Sequence, residues 1–130
     1  MENRTPIAVL LVEDNDVFRE ALELMLGVTP DIRVVGAVGD GTSAVTACEE
    51  LRPDVVLMDY RLPGLDGVEA TAAIHATSGA AVVVLTATAD RTELDALLAA
   101  GAVACLKQDS DVGEIVGAIR SAAAARAPVV

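Results

Sequence analysis

The sequence predicts an α/β chain: a doubly wound (βα)5 three-layer sandwich whose five parallel strands run in the order 2-1-3-4-5. Three observations lead there. Four short apolar runs, Ile7–Val12, Val55–Met58, Ala81–Leu85 and Val103–Leu106, have the length of strands and the uniform apolarity of strands buried inside a parallel sheet. The stretches between them carry apolar residues at helical spacing, so strand and helix alternate. Each run also ends in a polar residue: Glu13-Asp14, Asp59, Thr86 and Lys107 in turn. Parallel strands deliver their last residues to one edge of the sheet, the edge at which open α/β sheets bind ligands.

In chain order, Asn15 or Asp16 is placed to cap a first helix whose apolar residues are Val17, Phe18, Ala21, Leu22, Leu24 and Met25, with Gly27 as its stop. The less uniform run Ile32–Val38 reads as an edge strand. Asp40-Gly41 then turns into a second helix carrying Ala44, Ala47, Cys48 and Leu51 on one face, and Pro53 bars its continuation. Three later helices share a start signal: Asp66-x-x-Glu69, Asp90-x-x-Glu93 and Asp111-x-x-Glu114 resemble capping boxes with Asp in the capping place. Asp66 is therefore a cap first. Leu94, Leu97 and Leu98 form the expected buried face of helix four, which stops at Gly101; Ile115, Val116, Ile119 and Ala122 form that of helix five. The Ala-rich end, Ala122 to Ala127, finishes helix five before Pro128. Right-handed crossovers put helices on both faces of the sheet. The order 2-1-3-4-5 sets strands one and three side by side at the switch point, and so brings Asp14 beside Asp59.

Glu13, Asp14 and Asp59 would repel one another at close range unless a cation lies among them or a proton is retained. Oxygen ligands without a nearby His or thiolate suit a hard ion, and few protein ligands completed by water suit Mg²⁺ better than Ca²⁺. The Lys107 ammonium and Thr86 hydroxyl could hold the oxygens of a phosphoryl group delivered to one of the carboxylates.

The 130 residues, 53% of them hydrophobic, suit one globular domain over 1–130 with a core spanning about residues 7–125. Twenty acidic against nine basic residues give a net charge of −11, which disfavours a nucleic-acid backbone or an anionic membrane as a direct partner. Cys48 and Cys105 have no metal-like spacing and read as small buried apolar residues of a reduced, cytoplasmic protein. Met1 to Pro6 shows no apolar signal segment, and no apolar stretch is long enough to span a bilayer. His75 stands alone on a helix and is expected to be exposed.

The acidic pair Glu13-Asp14, Met58-Asp59 followed by Leu62-Pro63-Gly64-Leu65-Asp66-Gly67, Thr86 after strand four and Lys107 after strand five together resemble a response-regulator receiver domain of the CheY-like fold. The match covers nearly the whole chain. The resemblance implies that Asp59 is the nucleophile, with Lys107 and Thr86 assisting. It also implies that Asp14 ligates Mg²⁺ directly, Glu13 reaches it through water, and the Arg61 backbone carbonyl is a further ligand. The implied partner is a sensor histidine kinase, and the implied output is a switch of the helix four, strand five and helix five face. Such a domain is a phosphoacceptor that assists its own chemistry, not an enzyme acting on a separate substrate.

Two departures stand out. Receivers commonly carry Tyr or Phe three residues before the lysine, where this chain has Ala104; many place Pro after the lysine in a cis peptide, where Gln108 implies a trans bond. Lys107-x-Asp109 with the Gly101-Ala102 turn is closest in pattern to NarL/FixJ-type receivers, which reach DNA through a helix-turn-helix output domain not present in these residues. Homodimerisation through the helix four to helix five face is a further expectation.

Other functions fit less well. A flavin-type cofactor site needs a hydroxyl- and Gly-rich loop after strand one, and Glu13-Asp14-Asn15-Asp16 has the opposite charge. A Mg²⁺-dependent aspartyl phosphatase would carry an acid two residues after the nucleophile, where Arg61 stands. A phosphorylation-independent docking module usually lacks one of the site residues, and all are present here.

Overall fold

The computed structural model describes residues 5–87 and 90–126. Strands and helices alternate as β1 (Ile7–Val12), α1 (Asp16–Gly27), β2 (Ile32–Val38), α2 (Gly41–Leu51), β3 (Val55–Asp59), α3 (Gly67–Thr77), β4 (Ala81–Thr86), α4 (Arg91–Ala100), β5 (Ala102–Lys107) and α5 (Val112–Arg126). All neighbouring strands pair in parallel in the order β2-β1-β3-β4-β5.

The strands are uniformly apolar because alternate side chains enter two different cores. Val9, Leu11, Val55, Leu57, Val83 and Leu85 meet Leu22 and Leu26 of α1 and Ile115, Val116 and Ile119 of α5. Leu10, Val12, Val56, Met58, Val82 and Val84 meet Ala44 and Cys48 of α2, Ala70 and Ile74 of α3, and Leu97 of α4. Each fully buried Leu, Ile or Met in these layers contributes roughly 2 to 3 kcal/mol by removal from water. β5 is the other edge strand, and Val103 on it is half exposed.

Helix ends follow their side-chain chemistry. Asn15 caps α1 by accepting the Phe18 amide at 2.9 Å. Asp66 and Glu69 close a reciprocal capping box on α3, as Asp111 and Glu114 do on α5, and Asp90 accepts the amides of Thr92 and Glu93. Gly101 ends α4 in the left-handed region at φ 118°. Arg52 ends α2 in the left-handed region at φ 50°, and Pro53 directly after it cannot continue the helix.

Several apolar positions differ from expectation. Val17 and Leu24 of α1 are 80% and 74% exposed. They lie seven residues, about two turns, apart on the stripe opposite Leu22 and Leu26. Leu98 of α4 and Leu51 at the end of α2 also face outward, and Leu97 alone of α4 is fully buried. Gly27 does not stop α1 by left-handed geometry; it is the helix's last residue, and Val28 follows at φ −94°. Cys48 is buried as expected, whereas Cys105, on an edge strand, is only half-buried. His75 is exposed at the end of α3. Ala127 and Pro128, expected to close helix five, lie outside the described residues. No helix among the described residues is long and apolar enough to cross a membrane.

Candidate functional site

Strand register assembles the site. Val12 pairs with Met58 across β1 and β3, so Glu13 and Asp59 leave their strands side by side; Asp59 pairs with Leu85, and Thr86 pairs with Lys107. Carboxylate oxygens of Glu13, Asp14 and Asp59 all lie within 4.8 Å of one another. Glu13 and Asp59 are buried, and Asp14 is exposed at the mouth.

Each acid is held by its own loop. The Glu13 amide donates to the Val38 carbonyl at 3.0 Å, and the Asn15 amide donates to Glu13 Oε2 at 3.1 Å. Arg19, one turn into α1, donates Nη1 to the Glu13 carbonyl and Nη2 to Asp16, both at 2.6 Å, pinning the acid-bearing loop to its helix. The Tyr60 amide donates to the Leu85 carbonyl at 2.9 Å, and the Arg61 amide donates to Asp59 Oδ1 at 3.3 Å. The β3–α3 loop then turns at Gly64, φ 82°, and returns so that the Gly67 amide donates to the Tyr60 carbonyl at 2.9 Å. Asp14, Tyr60, Arg61, Leu62, Pro63, Asp66 and Glu93 line an open cleft of about 520 Å³ in front of the acids.

The electrostatics show what the cluster lacks. Burial foremost, with the neighbouring charges of Asp59 and Asp14 behind it, pushes the Glu13 carboxyl up to about 7, against the lowering effect of the Asn15 amide. Burial likewise raises Asp59, opposed by the Arg61 amide. Glu13 Oε1 is buried without a hydrogen-bond partner. A buried anionic oxygen left unsatisfied is costly, and only a proton shared with Asp59 or a cation relieves it. Three carboxylates with no His or Cys among them fit a small hard divalent cation.

Thr86 is buried at the end of β4, and Lys107 is exposed at the end of β5 beside it. The Gln108 amide donates to the Thr86 carbonyl at 3.0 Å, tying the two strand ends together. No cis peptide occurs among the described residues. All the expected side chains thus reach one sheet edge, with Asp66 serving as the α3 cap. Arg19 and Tyr60 were missed in the sequence. Arg19 is signalled only by being the first base after the acids Glu13, Asp14 and Asp16; Tyr60 is signalled by being the single tyrosine, directly after Asp59.

The response regulator receiver domain family model matches residues 9–120. The transcriptional regulatory protein LiaR of Bacillus subtilis is 40% identical over 117 residues, 89% of this chain and 56% of that protein. Among solved structures, the signal receiver domain of NarL from Mycobacterium tuberculosis superposes with a TM-score of 0.90 at 31% identity, covering 93% of this chain and 98% of that one. The receiver domain of sensor histidine kinase PA1611 from Pseudomonas aeruginosa, which holds a magnesium ion in its active-site cleft, superposes with a TM-score of 0.81 at 34% identity, covering 92% and 99%. The chain spans just over half the length of LiaR. Sheet order, the carboxylate cluster at the sheet edge and these likenesses agree: the chain belongs to the response regulator receiver domains, the phosphoacceptors of two-component signalling.

Proposed function

We propose that Asp59 accepts a phosphoryl group from a phosphohistidine of a sensor histidine kinase in a Mg²⁺-dependent reaction. The observation that carries this reading is the convergence of Glu13, Asp14 and Asp59 around a buried unsatisfied oxygen, with Thr86 and Lys107 on the adjoining strand ends. An Asp59 carboxylate oxygen attacks phosphorus, the P–N bond breaks, and the imidazole leaves and takes up a proton. The product is an acyl phosphate on Asp59. Mg²⁺, held by Asp14, Asp59, the Arg61 carbonyl and, through water, Glu13, would supply charge neutralisation for the phosphoryl oxygens. Lys107 donates an ammonium to one phosphoryl oxygen and Thr86 a hydroxyl to another.

The output is a shift of the α4–β5–α5 face, with homodimerisation as one consequence. Because Ala104 supplies no ring, the shift runs through the residues after Thr86 and through α4. The match covers 56% of LiaR, a transcriptional regulatory protein, and 58% of NarL, a nitrate/nitrite response regulator; by that likeness the whole protein is a cytoplasmic regulator of transcription that touches DNA through a separate output domain. Intact-mass spectrometry after treatment with acetyl phosphate tests the acceptor role. One phosphate adduct is expected with Mg²⁺, and none with chelator or in Asp59→Asn. An adduct undiminished in that variant contradicts the assignment, and no adduct at all favours a docking module that works without phosphorylation.

A further inference from the structure

Arg19 reaches the acid-bearing loop through its backbone. Its Nη1 donates to the Glu13 carbonyl and its Nη2 to Asp16 Oδ1, both at 2.6 Å, and its side chain is only 22% exposed. Gly39, just after β2, closes over this contact: a Cβ there would stand 3.4 Å from Arg19 Nη1, 3.8 Å from the Glu13 carbonyl oxygen and 3.9 Å from Asp14 Cα. The Glu13 carbonyl belongs to the peptide plane that leads into Asp14. The plane on the other side of Glu13 is held as well, by its amide bond to the Val38 carbonyl at 3.0 Å, and the Asn15 amide holds Glu13 Oε2 at 3.1 Å.

We propose that Arg19 is a positioning residue for the divalent cation: by fixing the peptide plane between Glu13 and Asp14 from outside the cluster, it directs the exposed Asp14 carboxylate to the place where Glu13 and Asp59 converge. The proposal rests on the metal-dependent phosphoacceptor reading above. Two effects of the guanidinium oppose one another. As a positive charge near the site it repels a cation and weakens binding. As a fork tying the Glu13 carbonyl to α1 through Asp16, it orders the loop before the cation arrives and strengthens binding. The second effect is the larger. Asp16, 2.6 Å from Nη2, balances the guanidinium charge, whereas nothing replaces the bond to the carbonyl. The loop also needs holding, because three carboxylates within 4.8 Å of one another push apart when no cation lies among them. Asp59 ends an interior strand, so the segment beyond β1 is the one that would yield.

The opposite signs of the two effects allow a test with Mg²⁺ alone. Calorimetric titration of the full chain with Mg²⁺ gives the affinity, and circular dichroism melting in chelator shows that each unloaded variant is folded. Arg19→Met should bind Mg²⁺ about tenfold more weakly, within the range lost when a ligand's supporting partner is removed, even though the chain has become more negative. Arg19→Lys keeps the charge, loses the fork, and should also bind more weakly. Arg120→Met is the charge-matched control. Arg120 pairs at 2.8 Å with Asp31, whose carbonyl takes the Ile7 amide where β1 begins, at the far end of the strands from the acids; its loss should not weaken binding. Tighter binding in Arg19→Met, or an affinity in Arg19→Lys equal to that of the natural chain, overturns the positioning role and leaves the acids as the metal site. Weakening as large in Arg120→Met as in Arg19→Met does the same. Should Arg19→Met fail to fold, Arg19→Lys decides alone by the same criterion. A natural chain that binds no Mg²⁺ overturns the metal reading and the role of Arg19 with it.

Discussion

In chelator, raising the pH from about 4.5 to about 7 should weaken the fold, and Glu13 is the reason. Its carboxyl is buried beside Asp59 and Asp14 and titrates near 7 in the folded chain, against an ordinary value of 4.5. A group whose folded value is raised binds more protons in the native state within that window. The Glu13 contribution is therefore fully present below 4.5 and is lost as the pH rises through 7. The gap corresponds to about 3 kcal/mol if all of it is expressed, and for a domain of this size that lowers the melting temperature by about 10 °C. Asp40 behaves in the opposite sense. The Ser43 amide and hydroxyl hold its carboxyl below the ordinary value, so its contribution is lost at lower pH, outside the window. Melting by circular dichroism across this range, in chelator and in Mg²⁺, reads the effect. Glu13→Gln removes the charge at nearly constant shape and should make the profile shallower, leaving the smaller fall that the raised Asp59 contributes. Mg²⁺ should raise stability at neutral pH by roughly 1 to 3 kcal/mol at tens to a hundred times its Kd, and Asp14→Ala should abolish that gain. A chelated protein whose stability is flat or rising over the window, or a fall as steep in Glu13→Gln as in the natural chain, would show that Glu13 is not its main source; the raised Asp59 leaves a smaller fall in the same direction.

Three further outcomes follow from the packing. Gly67→Ala places a Cβ 2.7 Å from the Tyr60 carbonyl oxygen and 2.9 Å from its Cα, backbone atoms that cannot step aside. It should cost about 1 to 3 kcal/mol in urea unfolding, and a loss under about 0.5 kcal/mol would count against the tight turn. Asp66→Ala opens the α3 capping box and should cost about 1 kcal/mol while leaving phosphate acceptance intact; loss of the adduct would make Asp66 part of the site. Ala104→Tyr adds a side chain whose burial is worth on the order of 1.5 to 3 kcal/mol. Sedimentation should show beryllofluoride-driven self-association stronger in that variant than in the natural chain, and equal association in both would make the alanine irrelevant.

Much of the fold was legible because two-sided burial leaves an unambiguous mark. Runs such as Val82-Val83-Val84 have no polar side to offer, so their strands had to be interior, and the polar residues that end them had to converge. The capping boxes at Asp66 and Asp111 were readable because capping is local in sequence. Helix faces were less legible where apolar residues exceed one stripe. α1 carries Val17 and Leu24 as well as Leu22 and Leu26, and nothing in their identity says which stripe meets the sheet. Tyr60 and Glu93 line one cleft from 33 positions apart, and the Arg19 bond to the Glu13 carbonyl uses a backbone atom that every residue possesses. Neither leaves a pattern in the chain.

The central claim is that Asp59, and no other residue, takes the phosphoryl group. Reducing the acetyl phosphate-treated chain with borohydride converts an aspartyl phosphate to homoserine, which peptide mass spectrometry then locates. Homoserine is expected at position 59 alone, formed in Mg²⁺ and missing in chelator. Homoserine at Asp14 or another acid, or a phosphate that resists reduction and resides on His75, would contradict it.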